Sequence, residues 1–332
     1  MNENGKIVIH RFESTLLRLN ALKDPYVREV IVYLPPNYQK LKSKEYLSII
    51  LLPSFGSNAR ALLNIDPLGE NIEQRLNRLI RRKYIGPTIV VIPDCFTRFG
   101  GNQYINSTAT GMYESYIIKE IVPFIRAEYN YSHLGVLGKS SGGYGALYLA
   151  MKYPRIFDGT AAHAPDSGFE YCYLPEFPKV VQNLSKNKGV KKWLLKFWKK
   201  NEGYTPEDRA TLNIVAMAAH YSPNPKNKET GIDLPFDSYS GEIYSSVWKR
   251  WLSRDPIRMV TRYRKSFEKL KCVYIDCGNK DEFNIYLGTR ILHSKLTGMD
   301  INHFYEEFDG GHTNISYRLD KSLSKLYTDL SS

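Results

Sequence analysis

The sequence predicts an α/β fold in which a mostly parallel sheet is covered by helices on both faces. Three observations predict it. Short apolar runs of strand length alternate along the chain with longer segments of helical period, the signature of strand–helix–strand units. Two of these runs, Tyr46–Leu52 (YLSIILL) and 88–92 (TIVVI), are apolar at nearly every position, as strands buried on both faces must be. A third run, 134–137, passes directly into the small-residue segment GKSSGGYGALYLAMKYP, which opens a helix.

Each element has its own signal. Val27–Leu34 (VREVIVYL) reads as a strand stopped by Pro35-Pro36, which cannot donate ladder hydrogen bonds. Residues 71–84 carry Ile72, Leu76, Leu79 and Ile80 at helical intervals. Pro93-Asp94 closes the 88–92 strand. Residues 111–129 are helical in period, with Tyr113, Ile117, Ile121 and Phe124 on one side, and Pro123 is expected to kink or split that helix. Residues 157–162, 271–277 (KCVYIDC) and 301–308 (INHFYEEF) are the later strands. Helices are expected over 284–296 and 314–330.

Residues 165–264 break this rhythm. All four tryptophans, Trp193, Trp198, Trp248 and Trp251, fall there with many prolines and tyrosines. The segment reads as a helical, aromatic-rich cap inserted between two strands of a core formed by 1–164 and 265–332. Its aromatics are expected either to roof a pocket or to hold the cap on the sheet.

Composition excludes several classes. At 42% hydrophobic and 24% charged, the 332-residue chain is ordinary globular protein. No apolar run approaches the roughly 20 residues of a membrane span. The start, MNENGKIVIHRFES, lacks a basic segment followed by a long apolar core, so a cytoplasmic location is the expectation. Cys95, Cys172, Cys272 and Cys277 form no CxxC pair and no zinc-spaced cluster, and are read as buried free thiols. The net charge of +12 is spread out. Its densest run, SKNKGVKKWLLKFWKKN over 185–201, places Val190, Trp193, Leu194, Phe197 and Trp198 at helical spacing, so its lysines read as the wet face of an amphipathic helix. No nucleic-acid partner is expected from it.

Gly138-Lys139-Ser140-Ser141-Gly142 matches GxSxG. With Gly and Ser each near 7% of average sequence, chance supplies such a match about 0.1 times in a chain of this length. Its position between a short strand and a small-residue helix is that of a nucleophile elbow, rather than of a tight turn without chemistry. A serine hydroxyl needs a base to take its proton. Of the histidines after Ser140, His163 ends a strand early, His220 falls in the cap, His293 in a helix and His303 in a strand. His312 stands in DGGH, a loop just after the last strand, where a base hangs over the sheet edge. The acid belongs after the preceding strand, in CGNKDE. Asp281 is preferred to Glu282 on loop position, and Asp276 is read as still on the strand. Backbone oxyanion donors are expected at Ser141 N–H and at Phe55 N–H, in the loop after Tyr46–Leu52, where Pro53 has no N–H to give.

With VIVYLPPNY, IILLPSFGSN, VVIPDCFTRFGGNQYINS, LGKSSGGYGAL, CGNKDEF and EEFDGGHTN, the chain resembles the esterase family that contains esterase D, enterochelin-esterase-like enzymes, feruloyl esterases and mycolyltransferases. The resemblance implies an α/β-hydrolase fold, cleavage of a small-molecule carboxylic ester and no cofactor or metal. It places nucleophile, acid and base on Ser140, Asp281 and His312. Where such enzymes often carry His-Gly in the oxyanion loop, this chain reads Pro53-Ser54. Two other readings stand beside ester hydrolysis: acyl transfer to an alcohol by the same residues, and a hydrolase-like binding protein without catalysis.

Overall fold

The computed structural model describes residues 4–39, 46–201 and 203–332. Eight strands form one sheet: β1 (Lys6–Glu13), β2 (Val27–Leu34), β3 (Tyr46–Leu52), β4 (Thr88–Pro93), β5 (Tyr131–Lys139), β6 (Gly159–His163), β7 (Cys272–Gly278) and β8 (Phe304–Phe308). Their order is β1-β2-β4-β3-β5-β6-β7-β8. β2 runs antiparallel to β1 and β4, and every other pairing is parallel.

The continuous apolar runs divide between two cores. In β3, Ile50 and Leu52 pack on one face while Leu47, Ile49 and Leu51 pack on the other. On the second face lie α1 (Ile72–Arg81) and the C-terminal helix, with Leu76, Leu79, Leu323, Leu326 and Leu330 buried. The first face carries α2 (Val122–Glu128), α3 (Ser141–Lys152) and most of the chain between β6 and β7. Cys272 and Cys277 fall on opposite faces, as their odd spacing requires, and all four cysteines are buried and free.

The segment between β6 and β7 contains α4 (Phe177–Lys186), α5 (Val190–Phe197), α6 (Pro206–Tyr221), α7 (Ser245–Leu252) and α8 (Pro256–Arg262). After β7 come α9 (Ile285–Gly298) and, following β8, α10 (Leu319–Ser331). The lysine-rich run is split: α4 ends at Lys186, Gly189 turns the chain at φ +99°, and only then does α5 begin. Within α5, Val190, Trp193 and Leu194 are buried while Lys191 and Lys192 are exposed.

The structure corrects the sequence reading at three places. β1, which has no counterpart among the sequence-predicted strands, is an edge strand. Its alternating, half-exposed residues (KIVIHRFE) need only one neighbour and lack a continuous apolar run. Residues 111–129 do not form one helix from end to end, although the helical stretch does split just before Pro123 as expected. The region holds a small antiparallel pairing of Asn106–Ser107 with Gly111–Met112, then a wide π turn over Tyr116–Ile121, then α2 with Pro123 in its first turn. His303 precedes β8 instead of lying within it, and its Nε2 sits 2.8 Å from His293 Nδ1.

Candidate active site

The parallel strands end together at one edge of the sheet, and the loops leaving β3, β5, β6, β7 and β8 converge there. Ser140 follows β5 and precedes α3. Its backbone adopts φ 56°, ψ −123°, a region non-glycine residues rarely occupy. Close packing requires this turn. A Cβ on Gly138 would stand 2.2 Å from Gly142 O, and one on Gly142 would stand 2.1 Å from Leu52 O. The turn is held by Ser140 N–H donating to His163 O (2.8 Å) and by Tyr144 N–H donating to Ser140 O (2.8 Å). A serine preceding a helix ordinarily caps it, yet the Ser140 hydroxyl makes no capping bond. It points instead toward His312.

His312 Nε2 lies 3.0 Å from Ser140 Oγ, and His312 Nδ1 lies 2.7 Å from Asp281 Oδ2. Asp281 Oδ1 accepts the backbone N–H of Phe283 at 2.9 Å, which helps fix the carboxylate facing the imidazole. The adjacent Glu282 binds backbone instead, its Oε2 accepting the His312 N–H at 2.6 Å. Lys280 N–H donates to Gly310 O and Asn279 N–H to Phe308 O, each at 2.9 Å, so the two loops are laced together. A Cβ on Gly278 would fall 2.2 Å from Gly310 O, which is why the lacing needs glycine there. The Phe283 ring meets His312 edge to face, 4.9 Å between centroids.

Phe55 and Ser141 flank the serine. Gly56 N–H is occupied by Gly100 O at 2.6 Å, and Ser54 Oγ donates to Lys139 O at 3.1 Å. Among the described residues, neither Phe55 N–H nor Ser141 N–H has an acceptor. The Ser141 N–H also opens the twelve-residue helix α3, whose positive dipole end faces the serine.

A cavity of about 610 Å³ opens beside Ser140 and His312. Phe55, Tyr173, Leu212, Phe283 and Ile285 supply apolar surface, while Lys139, Lys179 and Arg209 bring positive charge. Burial pushes the Lys139 ammonium below its ordinary value, against the pull of Asp281, Glu282 and Asp166. Among the described residues no tryptophan lines this cavity. Trp193 and Trp251 are buried in packing, Trp251 against Tyr173, Phe177 and Tyr221, and Trp198 lies over Phe99 on the surface.

Sequence reasoning missed Asp166. Its Oδ1 lies 3.2 Å from Ser140 Oγ, while Oδ2 accepts from Tyr173 O–H at 2.8 Å and Gln103 Nε2–H at 3.0 Å. Burial pushes this carboxyl above its usual value, opposed by those hydrogen bonds. The fold brings it there: β6 pairs with the elbow strand, His163 opposite Lys139, so an acidic residue just past His163 reaches the same edge, a pairing that no local pattern in the sequence marks. Below the elbow stands a second, buried chain of polar groups. His163 Nδ1 is 2.6 Å from Asp276 Oδ1 and His163 Nε2 is 2.8 Å from Ser322 Oγ. Asp276 Oδ2 also accepts from Tyr274 O–H at 2.7 Å and Arg318 Nε–H at 2.8 Å. Among the described residues no group of three or more His, Cys, Asp or Glu is placed to hold a metal ion, and no helix is long and apolar enough to cross a membrane.

Fold and comparison together define a carboxylesterase-type hydrolase of the α/β-hydrolase fold. The chain belongs to the family described as "Putative esterase", whose model matches residues 25–320. A ferulic acid esterase is similar in structure, with a TM-score of 0.62 at 16% identity over 98% of this chain and 99% of that one. An S-formylglutathione hydrolase from Agrobacterium tumefaciens gives 0.58 at 18% identity over 99% and 97%. A fluorophosphonate-binding serine hydrolase of Staphylococcus aureus gives 0.59 at 13% over 99% of each chain. No curated protein sequence matches the chain.

Proposed function

We propose that the protein hydrolyses carboxylic esters through an acyl-enzyme, with Ser140 as nucleophile, His312 as general base and acid, and Asp281 as the carboxylate orienting the imidazole. The observation that carries this reading is the Ser140–His312–Asp281 hydrogen-bond chain at the mouth of the cavity, on a strained turn at a helix N-terminus. Ser140 Oγ attacks the ester carbonyl as its proton passes to His312 Nε2. The resulting oxyanion is received by the backbone N–H groups of Phe55 and Ser141, which no protein acceptor among the described residues occupies. His312 then returns the proton to the departing alcohol, leaving the acyl group on Ser140. Water, deprotonated by His312, reverses the sequence and releases the acid. The 165–264 segment serves as the cap: Tyr173, Lys179, Arg209 and Leu212 bring it over the cavity.

A panel of p-nitrophenyl esters of increasing acyl length tests the reading. Turnover with an initial burst is expected, insensitive to EDTA, with rates at background for Ser140→Ala. Undiminished turnover by that variant, or a loss on chelation restored by a divalent ion, contradicts it.

A further inference from the structure

Asp166 is a carboxylate set against the nucleophile, apart from the acid that His312 already has, and the proposed mechanism makes no use of it. Its geometry is specific. Oδ2 is fixed by two donors, Tyr173 O–H and Gln103 Nε2–H, so the direction of Oδ1 is set by the protein. Oδ1 has one protein donor among the described residues, the Ser140 hydroxyl at 3.2 Å. That hydroxyl carries a single proton. When the proton points to His312 Nε2, as attack requires, Oδ1 is left without a donor. The side chain is only 7% exposed and lines the cavity, so water does little to compensate. A buried carboxylate oxygen without a donor is costly, and an anion beside a developing oxyanion adds repulsion.

We propose that Asp166 is a specificity-determining residue whose Oδ1 accepts a hydrogen bond from the substrate, selecting esters whose acyl group carries an ammonium or hydroxyl on the carbon next to the scissile carbonyl. The proposal rests on Ser140 as the acylated residue. Covalent geometry then holds a group on that carbon close to Ser140 Oγ, and hence within reach of Oδ1. An ammonium serves best, because it supplies a donor and also offsets the carboxylate charge beside the oxyanion. A site built around a polar group discriminates strongly against analogues that lack it, because the protein group is then left unpaired. Lys139 does not take this role from the substrate: no hydrogen bond or ion pair joins its ammonium to Asp166 among the described residues.

The test compares the ethyl esters of propionate, 2-methoxypropionate, lactate and alanine, with product acid quantified chromatographically. The methoxy ester keeps the electron withdrawal of an α-oxygen but has no donor, so it separates hydrogen bonding from simple activation. For the wild-type protein, kcat/KM for alanine and lactate esters should exceed that for the methoxy ester by about tenfold or more. Asp166→Leu should erase that preference, lowering kcat/KM for the alanine and lactate esters about tenfold more than for the propionate and methoxypropionate esters. The isosteric Asp166→Asn should lose the alanine preference more than the lactate one. Equal loss on all four esters would make Asp166 a mere support for Ser140, and a flat wild-type profile would also overturn the proposal. Turnover of p-nitrophenyl acetate by the same preparation reports separately on Ser140, so a flat profile in an active preparation condemns the Asp166 role alone.

Discussion

The sheet edge holds two aspartate–histidine–serine chains of nearly the same dimensions. In Asp281–His312–Ser140 the two hydrogen-bond distances are 2.7 and 3.0 Å. In Asp276–His163–Ser322 they are 2.6 and 2.8 Å. Their surroundings differ in every respect that chemistry depends on. Ser140 sits on a strained turn beside a cavity, with backbone N–H groups left over. Ser322 lies within α10, fully buried, and its hydroxyl also reaches Leu319 O. Asp281 is held by backbone N–H groups on a loop, whereas Asp276 is locked on β7 by Arg318 and Tyr274. Three residue types at hydrogen-bond spacing therefore do not make a hydrolytic site. Access, spare donors and a serine free to move toward substrate do. The buried chain instead ties α10 to the strand ends under the elbow, where His163 O holds the Ser140 N–H.

The comparison breaks most sharply at the serines and their bases. Ser140→Ala and His312→Ala should each lower kcat/KM by about 10⁴-fold or more, with unfolding midpoints near wild type. Asp281→Asn should fall in the same range, because the imidazole loses its orienting acceptor. Asp276→Asn is the counterpart. It should leave activity per folded molecule within a few-fold but cost about 1–3 kcal/mol of stability, since His163, Tyr274 and Arg318 lose a buried carboxylate while Arg318 keeps its pairing with Glu306. Urea unfolding and steady-state kinetics on the two asparagine variants distinguish the roles, and a large catalytic loss for Asp276→Asn without a stability loss would merge them.

His220 extends the comparison to a histidine that pairs with no carboxylate among the described residues. Its Nδ1–H donates to Ala216 O, its Nε2 has no partner among the described residues, and burial pushes its pKa down to about 4. The unfolded chain therefore takes up this proton first as pH falls. The contribution to stability is complete above the ordinary value of 6.5 and is lost as pH drops through the window down to about 4. The loss is about 3 kcal/mol. Asp276 has the same sign. Burial raises its carboxyl, but the charge and hydrogen bonds of His163, Tyr274 and Arg318 hold it below the usual value, so its contribution vanishes only at lower pH. His220→Asn, whose amide can replace the Nδ1 donor, should flatten the limb between pH 6.5 and 4. An unchanged pH profile of urea midpoints would show that His220 is not the group responsible. Ser322→Ala, the smallest expected effect, should cost about 1–3 kcal/mol by orphaning His163 Nε2, with activity nearly intact.

Much of this was legible in the chain. Strands buried on both faces leave continuous apolar runs, and the elbow leaves its glycines, because Gly138 and Gly142 meet backbone with no room for a Cβ. The placement of His312 followed from a loop after the last strand. β1 was hidden because an edge strand with half-exposed residues carries a diluted pattern. Asp166 was hidden because its role depends on which strand β6 pairs with, and strand order is not written in any local pattern. Glu282 and Asp281 look alike in sequence. Only the folded loops show one carboxylate on the imidazole and the other on the backbone N–H. The two roles left open for the cap aromatics divide among them: the tryptophans of α7 pack against α4 and α6, while Tyr173 reaches the cavity beside Phe55 and Phe283, a division that composition alone does not show.

The central claim, that one of the two chains is catalytic and the other is scaffold, is tested most directly by labelling with a fluorophosphonate and mapping the adduct by peptide mass spectrometry. Cleavage after Lys139 releases a peptide beginning with Ser140. The account predicts a single adduct on Ser140, absent from Ser140→Ala, strongly slowed in His312→Ala and undiminished in Ser322→Ala. An adduct on Ser322 or any other serine, or undiminished labelling of Ser140→Ala, would contradict it.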